Sequence, residues 1–305
     1  MKRRDFISVA GPSVLGLSVI PGSLFSKPNS NVITARELND YLNSLVEVDQ
    51  PSVDKVIVGD PDVPISKIGT AWMPYWSTLK EAKLKGVNTM VVHEPTFYTH
   101  RDLEGTTGDY LSAPSKAKKL YTEQVEAKKE WIEKNDMVVI RCHDVLDKIG
   151  GYGIPFAFGR ALGFSDSNLI RSKTFYNVYE IETKPAIDVA RMIASKLKAV
   201  GQPGVAFYGD ENYPVKTVGL GTGCICNPMD FMDLDMDLAI AIDDSVNTWT
   251  QTSFAEDTGK PLVVVNHGTS EEFGMKEFSA QLNKAFVNYE VLHFDQGCTY
   301  KWVTA

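Results

Sequence analysis

A chain of 305 residues, 43% hydrophobic and 23% charged, can bury one large core or two medium ones, which excludes a disordered tract or a small disulfide-stapled scaffold. A formal net charge of -8 argues against nucleic acid as a partner, because polyanion binders gather Lys and Arg on one face and no basic stripe with interleaved aromatics occurs. Four cysteines lack zinc-finger or redox-pair spacing.

The chain opens with Lys2-Arg3-Arg4-Asp5-Phe6-Ile7, a modest apolar run over 14–20, and Pro21-Gly22-Ser23. This resembles a twin-arginine export signal, and its apolar run is shorter than the ~20 residues of a membrane span. Residues 1–30 are therefore set apart as a signal peptide. The expected destination is the periplasm, or another exported location, with no transmembrane span after signal removal. No small-x-small cleavage site stands out after Pro21, which leaves a retained anchor open.

From there, apolar runs alternate with amphipathic stretches, the pattern of βαβ units and a largely parallel sheet, so the predicted fold class is α/β. Strands are expected over 54–58 and 67–71, a helix over 77–85, and a strand ending in Met90-Val91-Val92. A helix over 115–135 carries Lys116, Lys118 and Lys119 on a solvated face and leads to the strand Val138-Val139-Ile140. Gly150-Gly151-Tyr152-Gly153-Ile154-Pro155 punctuates the chain, and a helix over 156–162 closes at Gly163. We place a boundary near residue 165, giving an N-terminal α/β module over 31–165 and a C-terminal one over 166–305. In the latter, strands are expected over 174–181, 215–220 and 238–242, with a helix over 186–197. Gly219-Leu220-Gly221-Thr222-Gly223 lacks a Walker lysine and reads as a tight backbone turn, with Cys224 and Cys226 packing beside it. The last strand, Leu262-Val263-Val264-Val265, precedes a helix capped by Thr269 or Ser270 and running through Phe278 and Leu282.

Three of the five histidines stand where one of these runs stops: His93, His143 and His267. In an open α/β sheet, the carboxyl ends of strands surround the crevice in which ligands gather. Each histidine has a carboxylate at close spacing. Glu94 adjoins His93, Asp147 lies four residues after His143, and Glu271 four after His267. Six N and O ligands exceed the roughly four that one zinc takes and fit two adjacent divalent ions. His93 and Glu94 can share a centre only if the chain turns there, which Pro95 favours. Strand alternation sends Cys142 away from His143, into packing. His100 and His293 lack this context, with His100 the nearer to the pocket. Asp243 and Asp244, at the end of the 238–242 run, sit at the crevice edge; Asp243 and Glu272 are the candidate general bases.

The segments Val91-Val92-His93-Glu94-Pro95-Thr96-Phe97-Tyr98, His143-Asp144-Val145-Leu146-Asp147 and His267-Gly268-Thr269-Ser270-Glu271 resemble the metal motifs of the NGG1p-interacting factor 3-like (Nif3-like) family over nearly the whole mature length. The resemblance implies two α/β modules with a dinuclear metal site in the cleft between them, the 260–290 segment returning to that site. It also implies a toroidal homohexamer and a metal-dependent hydrolase without a settled small-molecule substrate. The family usually carries a second histidine where this chain has Glu94, a change that alters metal preference or affinity rather than abolishing binding. It also more often carries a Thr-Gly-acid sequence where Asp243 and Asp244 stand. Some members are described as GTP cyclohydrolases, yet no guanine pocket is readable here.

The expected function is a dinuclear centre of zinc, manganese, iron or nickel that activates water for hydrolysis. The alternative is a non-catalytic metal-binding or scaffold protein forming a ring. An open coordination position beside a proton acceptor distinguishes the two.

Overall fold

The computed structural model describes residues 32–104, 115–173, 175–223 and 234–303. The expected signal over 1–30, together with Cys224 and Cys226, lies outside the described residues. Among them, no helix is long and apolar enough to cross a membrane.

The described chain is mixed α/β with two sheets. After α1 (Ala35–Asn43), capped by Thr34 and Glu37 in a reciprocal capping box, come β1 (Val56–Val58), β2 (Ile68–Ala71), α2 (Trp76–Leu84), β3 (Thr89–Val92), α3 (Ser115–Lys134), β4 (Val138–Arg141), α4 (Asp144–Lys148) and α5 (Ile154–Leu162). Then follow β5 (Leu169–Lys173), β6 (Tyr176–Pro185), α6 (Ala186–Leu197), β7 (Ala206–Tyr208), β8 (Pro214–Gly221), β9 (Leu238–Ile242), α7 (Ser253–Thr258), β10 (Leu262–Val265), α8 (His267–Ala285) and β11 (Val291–His293).

The first sheet runs β1-β4-β3-β2-β11, with β4, β3, β2 and β11 parallel and β1 antiparallel at the edge. Its strands are short apolar runs because both faces are covered. Val91, Val138 and Ile140 join one core layer, while Met90, Val92 and Val139 join the other. Each such side chain contributes about 1.5–3 kcal/mol on full burial. The second sheet runs β5-β6-β8-β9-β10-β7 and is parallel only through β8, β9 and β10. Its core joins Val218, Leu220, Ile240 and Val263 to Val189 and Ile193 of α6.

The link between the sheets is α8. It starts at the carboxyl end of β10 in the second sheet, packs on α5, and leads to β11, which pairs parallel with β2 in the first. Two glycines permit that passage. A Cβ on Gly274 would meet Ile154 Cδ1 at 2.5 Å, and one on Gly268 would meet the Gly297 carbonyl at 2.6 Å.

Two local expectations are corrected. The strand β8 continues through Gly221, and the turn falls at Gly223, where φ is +75°. The last long helix begins earlier than Thr269: Asn266 is its cap, accepting from the Thr269 amide, so His267 is already the first helical residue. Cys142 is fully buried, as strand alternation predicts.

Candidate metal centre

Four strand ends deliver the centre. β3 ends at Val92 and leads directly to His93, where the amides of His93 and Glu94 both donate to the Trp72 carbonyl, at 3.1 and 2.9 Å. This shared acceptor is the turn that lets two consecutive residues serve one place. β4 leads to His143, the residue before α4, and Asp147 lies one turn on, its amide donating to the His143 carbonyl at 3.0 Å. β10 leads to His267 and Glu271, four apart on the same face of α8. β9 supplies Asp243 and Asp244 just beyond Ile242.

The sequence-predicted ligands converge. His93 Nε2 lies 3.2 Å from Glu271 Oε2 and 3.6 Å from Asp147 Oδ1, and His143 Nδ1 lies 3.6 Å from Asp147 Oδ2. His267 Nε2 lies 3.0 Å from Glu271 Oε1 and 3.2 Å from Glu94 Oε1. His93 and His143 stack with ring centroids 4.5 Å apart. Glu271 thus spans the two imidazoles of His93 and His267, one oxygen to each. His93, His143 and Asp147 form one group whose ligand atoms could hold an ion, and His93, Glu94 and Glu271 form another.

Outer contacts aim these side chains. His267 Nδ1 pairs with Asp244 Oδ2 at 2.8 Å, and His93 Nδ1 faces the Cys142 carbonyl at 3.3 Å, so both rings turn Nε2 inward. Trp72 Nε1 donates to Glu271 Oε2 at 2.7 Å. Asp54 accepts the amides of His143, Asp144 and Val145, pinning the first turn of α4. Arg141, fully buried, donates through Nε to the His93 carbonyl at 3.0 Å and reaches Glu94 Oε2 through Nη2 at 3.4 Å.

Three buried carboxylates beside three imidazoles set the electrostatics. Burial pushes the His93 imidazole down, but Glu271 and Asp147 outweigh it and hold its pKa at about 9. For His267, too, burial is outweighed by Glu271, Asp244 and Glu94, and its pKa is raised far above the ordinary value. Glu271 is held well below the carboxylate range by His267 and His93 despite complete burial. Burial raises Asp147.

The fit to a cation shows in what this packing leaves over. His93 Nε2, His267 Nε2, Asp147 Oδ1 and Glu271 Oε1 are buried with no hydrogen-bond partner among the described residues. They face one another at 3.0–3.6 Å without the alignment of a hydrogen bond. Unsatisfied buried polar atoms are costly, and four converging from three elements fit the donor set of a divalent ion. With protons on His93 and His267, two positive charges offset the three carboxylates to a net of -1, and a bound metal would take the place of those protons.

The two candidate bases sit elsewhere. Both Asp243 oxygens are engaged, Oδ1 by the His267 amide at 3.0 Å and Oδ2 by Asn266 Nδ2 at 3.0 Å, so Asp243 braces the start of α8. Glu272, about 100° around the helix from Glu271, receives His293 Nε2 at 2.8 Å. His293 also meets Thr70 Oγ1 at 3.0 Å through Nδ1, so both its ring nitrogens are occupied. Sequence reasoning missed Trp72, Asp54 and Arg141, each a lone residue whose partner is distant in the chain. His100, exposed, does approach the centre, its ring centroid 5.8 Å from that of His143.

No curated protein matches the chain. Among solved structures, the Staphylococcus aureus protein SA1388 is similar with a TM-score of 0.68 at 18% identity, covering 89% of this chain and 99% of that one. The protein TTHA1606 from Thermus thermophilus gives 0.63 at 17% identity, over 88% of this chain and 100% of that one. Reduced HcgD from Methanocaldococcus jannaschii gives 0.62 at 17%, over 87% and 98%. Likeness at these identities establishes the shared fold. The model of the family Duf34/NIF3 (NGG1p interacting factor 3) matches residues 33–296, nearly the entire described chain, and the chain therefore belongs to that family.

Proposed function

We propose that this protein holds two divalent metal ions at the ends of β3, β4 and β10 and uses them in hydrolysis of a small-molecule substrate. The observation that carries the reading is the set of four orphaned buried atoms, which a pair of cations sharing Glu271 would satisfy together. His93, His143 and Asp147 would hold one ion, Glu94 and His267 the other, with Glu271 between. The all N and O donor set suits zinc, manganese, iron or nickel. Such ions, when bound, supply Lewis acidity and bring the pKa of bound water toward neutrality.

The residues around the centre favour turnover over storage. His143 is the most accessible of the six ligands, its side chain 16% exposed, so solvent and substrate enter on that side. His100 stands at the same opening. Its pKa is lowered, first by burial and then by Arg141 and His143, so a neutral ring nitrogen is present at pH 7 to accept a proton from water. His100 takes the role of general base that sequence reasoning assigns to Asp243 or Glu272. Assembly as a homohexamer and export through the amino-terminal signal complete the proposal.

The test is elemental analysis of the purified chain beside a hydrolase screen. About two equivalents of metal, reduced in His143→Ala and Glu271→Gln, with hydrolysis lost in His100→Ala at unchanged metal content, is the expected result. Full metal content without turnover on any ester, amide or phosphoester would favour the non-catalytic ring.

A further inference from the structure

Among the described residues, Arg141 is the one strand residue of the first sheet that carries a full charge into complete burial, and its contacts are divided among the parts of the metal centre. Nε holds the His93 carbonyl at 3.0 Å, and Nη2 faces Glu94 Oε2 at 3.4 Å. Nη1 donates to the His100 carbonyl and lies 3.6 Å from Asp102 Oδ2. Asp102 in turn receives the amides of Thr96 and Phe97 through its other oxygen, at 2.6 and 2.9 Å. The loop from Glu94 to Asp102 is thus wrapped around one guanidinium. Tyr98 and Asp102 take left-handed backbone conformations in doing so, with φ of +62° and +52°.

The consequence lies at Glu94. Its Oε1 is 3.2 Å from His267 Nε2, on the metal side, while Oε2 is turned to Arg141. A carboxylate can chelate one ion through both oxygens or offer one. Here the guanidinium withholds the second. Resting on the dinuclear reading above, we infer that Arg141 is a positioning residue that makes Glu94 a one-oxygen ligand and fixes the strength of the ion position shared with His267. A planar fork suits this: it meets a backbone carbonyl and a carboxylate oxygen together, which an ammonium does with poorer geometry. Arg141 touches two ligand residues, His93 through its backbone carbonyl and Glu94 through its side chain, but only Glu94 serves the ion position shared with His267, so its influence on that position should vanish when Glu94 no longer carries charge.

The experiment is zinc binding, with zinc alone as the probe, read by chelator competition in four proteins: wild type, Arg141→Met, Glu94→Gln and the double variant. Wild type is expected to take two zinc ions. Arg141→Met should weaken one of them by about 10–100-fold, the range for loss of a group that orients a ligand. In the Glu94→Gln background the same change should cost less than about threefold, because the ligand it positions is already lost. An unchanged affinity in Arg141→Met, or equal losses in both backgrounds, overturns the inference while leaving the metal centre intact. Wild type without zinc overturns the centre itself. If Arg141→Met does not fold, Arg141→Lys keeps the buried charge and is judged by the same comparison between backgrounds.

Discussion

Metal uptake by this centre should depend steeply on pH between about 6.5 and 9. The perturbation is the proton that the metal-free protein places on His93, whose pKa is raised to about 9 by Glu271 and Asp147. At pH 7 that imidazole is about 99% protonated, and an ion must displace the proton to use Nε2. Two pH units correspond to about 2.7 kcal/mol, or about a hundredfold in apparent affinity, for His93 alone. His267, raised further by Glu271, Asp244 and Glu94, adds a second proton displaced across the same range.

Titration calorimetry in buffers of different ionisation enthalpy counts those protons. Loading at pH 7 should release about two, and apparent affinity should climb at least a hundredfold between pH 7 and 9. Stability supplies an independent sign. The raised His93 pKa stabilises the metal-free fold fully below its unfolded value of about 6.5 and loses that contribution as pH rises through about 9. Ions replace the proton, so the gap in Tm between loaded and metal-free protein should widen from pH 6.5 to 9. A flat affinity over this window with no proton release would refute the assignment of His93 and His267 as ligands.

Other expectations concern single groups. Trp72→Phe removes the indole N–H that meets Glu271 Oε2 at 2.7 Å and should lower metal affinity about 10–100-fold by chelator competition, with the fold kept. His93→Ala or His267→Ala should empty the centre, whereas His293→Ala, whose ring faces Thr70, Glu272 and Asp295 away from that centre, should change metal content little; equal loss in all three would defeat the ligand set. Light scattering should give about six times the 33.8 kDa chain mass, and a monomer would remove the ring from the proposal. Replacing Arg3 and Arg4 with lysines should hold the protein in the cytoplasm if the first 30 residues act as a twin-arginine signal.

The candidate ligands that converge were legible because the three histidines stand where a periodic pattern breaks. Val91-Val92, Val138 to Ile140 and Leu262 to Val265 are almost wholly buried and must be apolar, so a histidine within three residues of their ends, with an acid adjoining it or four residues on, stands out. The helix start at Asn266 was harder to place, since Asn266, Thr269 and Ser270 are all good caps; the choice is made by the Thr299 amide, which also donates to Asn266 Oδ1 from 33 residues away. The return of β11 to β2 rests on a three-strand-residue pairing that no local pattern marks.

Arg141 shows the deeper limit. At the end of Val138-Val139-Ile140, an arginine reads as a charge that snorkels out of the sheet, the ordinary outcome for a long basic side chain. Its burial is justified only by acceptors scattered along the chain: the His93 and His100 carbonyls, Glu94 and Asp102. None of these signals a cationic partner by itself, because carbonyls are everywhere and Glu94 already has a role beside His93. The guanidinium and the loop that encloses it define each other, and local sequence patterns report one-dimensional regularities rather than such mutual dependence. The candidate ligands can therefore be found from pattern, while the groups that brace them have to be found from three-dimensional contact.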